Sequence, residues 1–316
     1  MSGGSLRLYT PRAFTGARWL GPVTLVVEQG RITALEPGAS APTHRLPEGQ
    51  FLAPGFIDVQ VNGGGDVLLN DTPTLEGMQA IAAAHRTFGT TGLLPTLITD
   101  DVSKARALKE LAARAVDPQT SAILGLHLEG PFINAARKGV HREAAITALT
   151  EADMAWLTDP FPGALLLTLA PELAAPGLVR RLAAAGLLLC AGHTAADYSQ
   201  IMTAVDDGLR GFTHLYNAMT PMTGREPGVV GAALDTPETF AGIIVDGFHV
   251  HAASLRAAIR AKGADRMMLV TDAMPPVGGQ KAEFVLDGQR IIADGGRLIT
   301  AQGTLAGAAV DMATCV

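Results

Sequence analysis

The sequence predicts an α/β fold, a (β/α)8 barrel preceded by an antiparallel β element, on three observations. After Pro54-Gly55, eight short apolar runs follow one another; helical stretches fall between several of them; and the polar residues that chemistry could use stand at the C-terminal ends of the runs. Repeated strand-helix units of this kind make a parallel sheet, and eight of them suggest a closed barrel rather than an open sheet.

The elements follow in order. Val23-Thr-Leu-Val-Val-Glu-Gln-Gly30-Arg-Ile-Thr-Ala-Leu-Glu36 alternates around Gln29-Gly30, the pattern of a β-hairpin, so residues 1–53 read as a small β domain and 54–316 as the barrel. The eight apolar runs lie near 56–61, 92–97, 122–128, 164–169, 187–191, 210–213, 241–245 and 267–271, with helices expected around 74–88, 103–115, 175–185, 197–207 and 253–261. The third run is the clearest. Ala122-Ile-Leu-Gly-Leu-His127-Leu is apolar on both faces and is closed by Glu129-Gly-Pro131, as in a strand covered by helices. An ionised carboxylate leaving such a run is costly unless a metal, a cation or hydrogen bonds meet it.

Composition narrows the function classes. The chain has 316 residues, 48% of them apolar and 17% charged, with net charge -6, enough for one large barrel or two ordinary domains with a substantial core. No apolar stretch is long enough to cross a bilayer, and Met1-Ser-Gly-Gly-Ser lacks the basic and apolar regions of a signal peptide, so a cytoplasmic protein without membrane partners is expected. An acidic balance with no basic run argues against a nucleic-acid partner. Of the two cysteines, Cys190 lies in an apolar run and reads as a buried free thiol rather than half of a disulfide or a zinc knuckle.

Polar residues laid over the strand map all fall at one end. Gln60 and Asn62 close the first run, Glu129 the third, His193 the fifth, His214 the sixth and Asp272 the eighth. In a parallel barrel those ends form the rim on which active sites are built. A single histidine or aspartate at a strand end reads more readily as a hydrogen-bonded structural residue. Together, one Glu and two His offer three ligands and leave a position for water, the pattern of a catalytic zinc site.

The motifs at these positions carry a resemblance. Ala53-Pro-Gly-Phe-Ile-Asp58-Val-Gln60-Val-Asn62, His127-Leu-Glu-Gly-Pro-Phe132, Lys138-Gly-Val-His141, Ala191-Gly-His193-Thr, Thr213-His-Leu-Tyr-Asn217-Ala-Met219, Gly224-Arg-Glu-Pro-Gly228, Asp246-Gly-Phe-His249, Val270-Thr-Asp272-Ala and Gly303-Thr-Leu-Ala-Gly307 resemble, in register from about Leu52 to Gly307, the N-acetylglucosamine-6-phosphate deacetylases of the amidohydrolase superfamily. The resemblance implies a TIM-like metal-dependent hydrolase barrel with a small β-sandwich domain, and removal of acetate from N-acetylglucosamine 6-phosphate. It makes Glu129, His193 and His214 the metal ligands and Asp272 the catalytic acid/base. Where many amidohydrolases carry His-x-His on the first strand this chain has Gln60-Val-Asn62; amides are poorer ligands for a borderline-soft ion, so one divalent ion is expected, zinc first, with Fe2+, Co2+ or Mn2+ as alternatives. Gln60 then either hydrogen-bonds the attacking water or serves only the rim.

For the substrate, the resemblance makes His141 a contact to the sugar or the acyl oxygen, and Arg225 and His249 the phosphate cradle, a guanidinium being suited to paired bonds with phosphate oxygens. Asn217, Ala218 and the backbone of Leu305, Ala306 and Gly307 match further contacts. In the family the arginine can come from a neighbouring subunit, so a homodimer is expected; pairing of Arg225 with Glu226 is the structural alternative. His127 supports the site or fills a core layer, the latter favoured. His44, His85 and His251 read as structural or solvated, Met267-Met268 as barrel core, and Gly63-Gly-Gly65 as a flexible rim loop, with no phosphate-loop signature after it.

Family members continue past Met312-Ala-Thr-Cys-Val316, so the C-terminal part of the last helix and of the small domain is expected to be missing, leaving apolar surface and strand edges to be covered. Two rival functions stay open: an amidohydrolase acting on another amide or a heterocycle, and a non-catalytic sugar-phosphate binder. Acceptance of N-acetylgalactosamine or N-acetylmannosamine phosphates is also open.

Overall fold

A computed structural model describes residues 5–117 and 121–316, which fall into two compact units, Met1–Gly55 and Phe56–Val316. In the first unit the strands Val23–Glu28 and Arg31–Pro37 form the expected hairpin, its turn made by Gln29 and Gly30, both at positive φ. Leu6–Thr10 pairs with the other side of Val23–Glu28, and the short strand His44–Arg45 completes a four-stranded sheet. Val23 and Leu25 of this sheet and Ala13 of the separate pair Ala13–Phe14 with Trp19–Leu20 form the buried cluster of the unit.

The second unit is built on eight parallel strands: β1 (Phe56–Val61), β2 (Thr90–Ile98), β3 (Gly125–Glu129), β4 (Ala164–Leu169), β5 (Leu188–Ala191), β6 (Gly211–Phe212), β7 (Phe240–Ile243) and β8 (Met267–Leu269). Their order in the sheet is their order in the chain. Beyond β8 the chain crosses to β1: Asp272 N donates to Gln60 O (3.0 Å) and Asn62 N donates to Ala273 O (2.9 Å), so the barrel is nearly closed. Each strand is followed by a helix: α1 (Leu75–Arg86), α2 (Val102–Ala112), α3 (Glu151–Thr158), α4 (Leu178–Ala184), α5 (Tyr198–Asp206), α6 (Gly228–Asp235), α7 (Ala252–Lys262) and α8 (Met312–Cys315). Among the described residues no helix is long and apolar enough to cross a membrane.

Local chemistry accounts for these elements. Thr74 caps α1 by accepting from Gly77 N, and the helix buries Met78, Ile81 and Ala82 on one face. Asp197 and Gln200 form a reciprocal capping box at the start of α5. On β3 the period of two separates the environments: Leu126 and Leu128 join the core between strands and helices, while His127 and Glu129 take the opposite face. His127 belongs to a hydrogen-bonded layer of the barrel, with Nδ1 on Val59 O (2.9 Å) and Nε2 on Thr168 Oγ1 (2.8 Å), which agrees with its reading as a core residue. Cys190 and Cys315 are buried free thiols.

Three features depart from the sequence reading. Helices α3 and α6 were not expected; α3 starts where the Asp153 carboxylate accepts from Thr150 N and its hydroxyl. Gly63-Gly-Gly65 is not a loose rim loop: Gly63–Gly64 pairs with Val67–Leu68, and a Cβ at Gly63 would lie 2.5 Å from Val67 O, so the glycines are there for a close approach. Between β8 and α8 stands an antiparallel sheet of Glu283–Leu286, Gln289–Asp294, Arg297–Ile299 and Leu305–Ala308. Its last strand returns to the barrel, where Ala308 N donates to Asp272 O (2.9 Å) and Met274 N to Ala308 O (3.1 Å).

Candidate active site

Glu129 from the end of β3, His193 just past β5 and His214 just past β6 meet at one point, all buried. Glu129 Oε1 lies 3.2 Å from His193 Nε2 and 3.0 Å from His214 Nε2, and the two Nε2 atoms are 3.0 Å apart. His193 Nδ1 donates to Arg137 O (2.9 Å), which leaves its Nε2 lone pair for the centre. Lone pairs this close repel unless a cation or a shared proton lies among them. One carboxylate oxygen and two imidazole nitrogens are also the donors of an open divalent-metal site, so the residues fit such an ion. Burial opposes the Glu129 charge, but the hydrogen bonds with His193 and His214 outweigh it and hold the carboxyl well below its usual range.

Asp272 adjoins this cluster from beyond β8. Its Oδ1 accepts from Asn62 Nδ2 (2.6 Å) and from Gln60 Nε2 (3.1 Å), while the same Gln60 nitrogen also donates to Glu129 Oε1 (3.0 Å). Burial, reinforced by the Glu129 charge, pushes the Asp272 carboxyl up to about 6. His193, His214 and Asp272 all have positive φ, at 49, 33 and 51°. Non-glycine residues held there cost on the order of 1–3 kcal/mol each, and such residues gather at functional sites. The backbone bonds of Asp272 to Gln60 and Ala308 are part of what holds the strained turn.

These groups form the floor of a cavity of about 390 Å³, within the range of small-molecule sites. Of the residues singled out in the sequence, Glu129, His193, His214, Asp272, His141, Asn217, Ala218, His249, Leu305 and Gly307 line it. His141 leans on His193 with ring centroids 4.2 Å apart, and His249 is held by Asp246, Nδ1 to Oδ2 2.6 Å. Gln60 sits behind the cluster rather than on the cavity wall, and Ala306 is buried in the apolar group of Met274, Leu286 and Ile291. Arg225 is exposed and does not line the cavity of its own chain. Nor does it pair with Glu226, whose Oε1 accepts from Tyr198 N (2.9 Å) and Gly228 N (2.9 Å).

Sequence reasoning missed the groups that hold these residues. Asp58 is buried on β1 and accepts from the Thr271 hydroxyl (2.5 Å), next to Asp272. Thr99, just past β2, bonds His141. Asp58 did lie inside a quoted motif, two residues before Gln60 and so on the same strand face.

Residues 51–311 match the model of the amidohydrolase family. The chain is 45% identical over 278 residues to an N-acetylgalactosamine-6-phosphate deacetylase of Shewanella sp. (strain ANA-3), covering 88% of this chain and 70% of that protein. It is 36% identical to an N-acetylglucosamine-6-phosphate deacetylase of Bos taurus, over 95% of this chain and 75% of the relative. Among solved structures it is similar to a variant of the Mycobacterium smegmatis N-acetyl-D-glucosamine-6-phosphate deacetylase in complex with N-acetyl-D-glucosamine-6-phosphate, with TM-score 0.88, 29% identity, and coverage of 99% of this chain and 82% of that one.

Proposed function

Because this chain belongs to the amidohydrolase family, in the branch of the amino-sugar-6-phosphate deacetylases, we propose that it hydrolyses the acetamide of N-acetylglucosamine 6-phosphate to acetate and glucosamine 6-phosphate. The observation that carries this reading is the buried Glu129, His193 and His214 cluster with Asp272 beside it on the floor of the cavity. The similarity to the Shewanella protein favours a second reading of the substrate, the galacto epimer.

Glu129, His193 and His214 would hold one divalent ion, zinc first with Fe2+, Co2+ or Mn2+ as alternatives, and Gln60 and Asn62 stand in place of the imidazoles a second ion would need. A bound ion supplies a Lewis acid for the acyl oxygen and lowers the pKa of a nearby water. Asp272 is the proton carrier. With Oδ1 occupied by Asn62 and Gln60, Oδ2 takes a proton from the attacking water and returns it to the nitrogen as the C–N bond breaks, so the amine leaves neutral. A carboxyl raised to about 6 is suited to both transfers near neutral pH. His141 contacts the acyl oxygen or the sugar, Asn217, Ala218 and the 305–307 backbone contact the sugar, and His249 receives the phosphate. Arg225 completes the phosphate site from the neighbouring subunit of a homodimer, since it does not line the cavity of its own chain. The enzyme so described acts on a soluble metabolite in the cytoplasm.

The test is a panel of N-acetylglucosamine and N-acetylgalactosamine, each with and without the 6-phosphate. Acetate release that is much faster from the phosphorylated sugars supports the reading, and the ratio of the two kcat/KM values assigns the epimer. Equal turnover with and without phosphate, or turnover only of unrelated amides, refutes it.

A further inference from the structure

We propose that Ile98 and Val140 form the wall that receives the methyl of the acyl group, and so make the site selective for acetyl over longer acyl chains. The inference rests on the reading of the cavity as an amide-hydrolysing site for a hexosamine 6-phosphate.

A secondary amide is planar and trans, so the sugar carbon on its nitrogen and the methyl on its carbonyl carbon lie at opposite ends of the group. With the reacting carbon between the Glu129, His193 and His214 cluster and Asp272, one end points to the sugar and phosphate contacts and the other away from them. Asn217 and His249, which take the sugar and the phosphate, follow β6 and β7. Across an eight-stranded barrel from β6 and β7 stand β2 and β3. Ile98 is the last residue of β2, Val140 lies in the loop after β3, and both line the cavity. Ile98 is also paired in the parallel ladder with Glu129, and paired residues turn their side chains to the same face, so it points inward beside that carboxylate.

A methyl has no hydrogen bond to make and gains only by leaving water, so it belongs against apolar wall. Ile98 packs with Met274 and with Leu286, Ile291 and Leu298 of the sheet after β8, and Val140 lies against the same cluster. The backbone of Ile98 is held by one side chain: Asn70 Nδ2 donates to Ile98 O (2.9 Å), and Ile98 N donates to Asn70 Oδ1 (3.3 Å). A wall packed and tethered in this way resists retreat from a larger acyl group. Behind it is a second cavity of about 130 Å³, with Asn70, Asp100, Lys104 and Arg142 on its sides, and Ile98 and Val140 line that cavity too. The two side chains are therefore a partition. They set the depth open to the acyl group, and there is space beyond them.

The experiment uses the zinc-loaded protein and a series of hexosamine 6-phosphates, of the epimer the wild type prefers, carrying N-formyl, N-acetyl, N-propionyl or N-butyryl groups. Release of the free amine is followed. In the wild type kcat/KM should fall roughly 10–200-fold from acetyl to propionyl, the effect of one methylene too many in an apolar pocket, and further to butyryl. Ile98→Ala, which opens the partition, should raise the propionyl-to-acetyl ratio by roughly 10–100-fold. Val140→Ala, at a half-buried loop position that burdens folding less, should raise it in the same direction by a smaller factor. The ratio is taken within each variant, so a loss of folded protein or of general activity, which lowers every member of the series alike, leaves it unmoved. A ratio unchanged in active variants, or a wild type that takes butyryl as fast as acetyl, overturns the proposal and leaves the function standing. A wild type that hydrolyses no member of the series overturns the function and the proposal together.

Discussion

Asp272 has its hydrogen-bond partners among the described residues on one carboxylate oxygen, Oδ1, and the proposed proton transfer uses the other. Asp272→Asn preserves the shape but removes the proton acceptor, so kcat should fall by roughly 10²–10⁴-fold while zinc content stays at one per chain; near-normal turnover would take Asp272 out of the mechanism. Arg225 presents the opposite situation, a cation outside its own cavity. Arg225→Ala should raise KM for the phosphorylated sugar and leave the weak reaction of the unphosphorylated sugar unchanged, and equal effects on both would end its role in phosphate binding. At this scale the sequence was informative where a residue type is rare at its position. A glutamate after an apolar run and histidines at two strand ends are chemically conspicuous, and they meet. Thr99 and Asp58 were not conspicuous: a hydroxyl or an aspartate near a turn has many ordinary uses, and only the distance to His141 or Thr271 gives it a role.

Among the elements, the closure of the barrel is the point of interest. β8 is short, and the chain beyond it is tied to β1 partly by side chains: Asp58 accepts from the Thr271 hydroxyl and from Gln60 N (3.2 Å). Burial pushes the Asp58 carboxyl up to about 7 from an ordinary value of 3.8, although its hydrogen bond from Thr271 pulls the other way. The sign follows from linkage. A carboxyl raised in the folded state contributes most below its unfolded pKa, and that contribution is lost as pH rises through the folded value. The melting temperature of the wild type relative to Asp58→Asn should therefore fall between about pH 4 and pH 7 and level off above that; a constant difference would show that Asp58 does not titrate in this range.

The same scale explains which elements could be read in advance. The eight strands were legible because buried parallel strands are continuous apolar runs, and the first and fourth runs match their strands at both ends. Helix α3, Glu-Ala-Asp-Met-Ala-Trp-Leu-Thr, mixes its apolar residues around the axis, and α6 begins Gly-Val-Val-Gly, which favours neither helix propensity nor a clear face. The sheet after β8 did carry a signal, Asp287-Gly288 between alternating residues, the mark of a tight hairpin.

Over the whole molecule, the fold gathers residues far apart in sequence because every strand of a parallel barrel ends on the same rim. That rule, applied to the strand map, was enough to bring together Glu129, His193, His214 and Asp272. It could not foresee that the sheet of residues 283–308 would return to the barrel and set Leu305 and Gly307 on the cavity wall, since that depends on pairing across the Asp272 turn. It also could not place Arg225, whose proposed position depends on a second chain.

The most direct test is acetate release from N-acetylglucosamine 6-phosphate and its galacto epimer by chelator-stripped protein, titrated with zinc, beside Glu129→Gln treated the same way. The account predicts no release from the stripped protein, activity that rises with zinc to a plateau at one ion per chain, and a variant that neither holds the ion tightly nor turns over either sugar. Full activity in the stripped protein, or a zinc-loaded wild type that releases no acetate from either epimer, would contradict it.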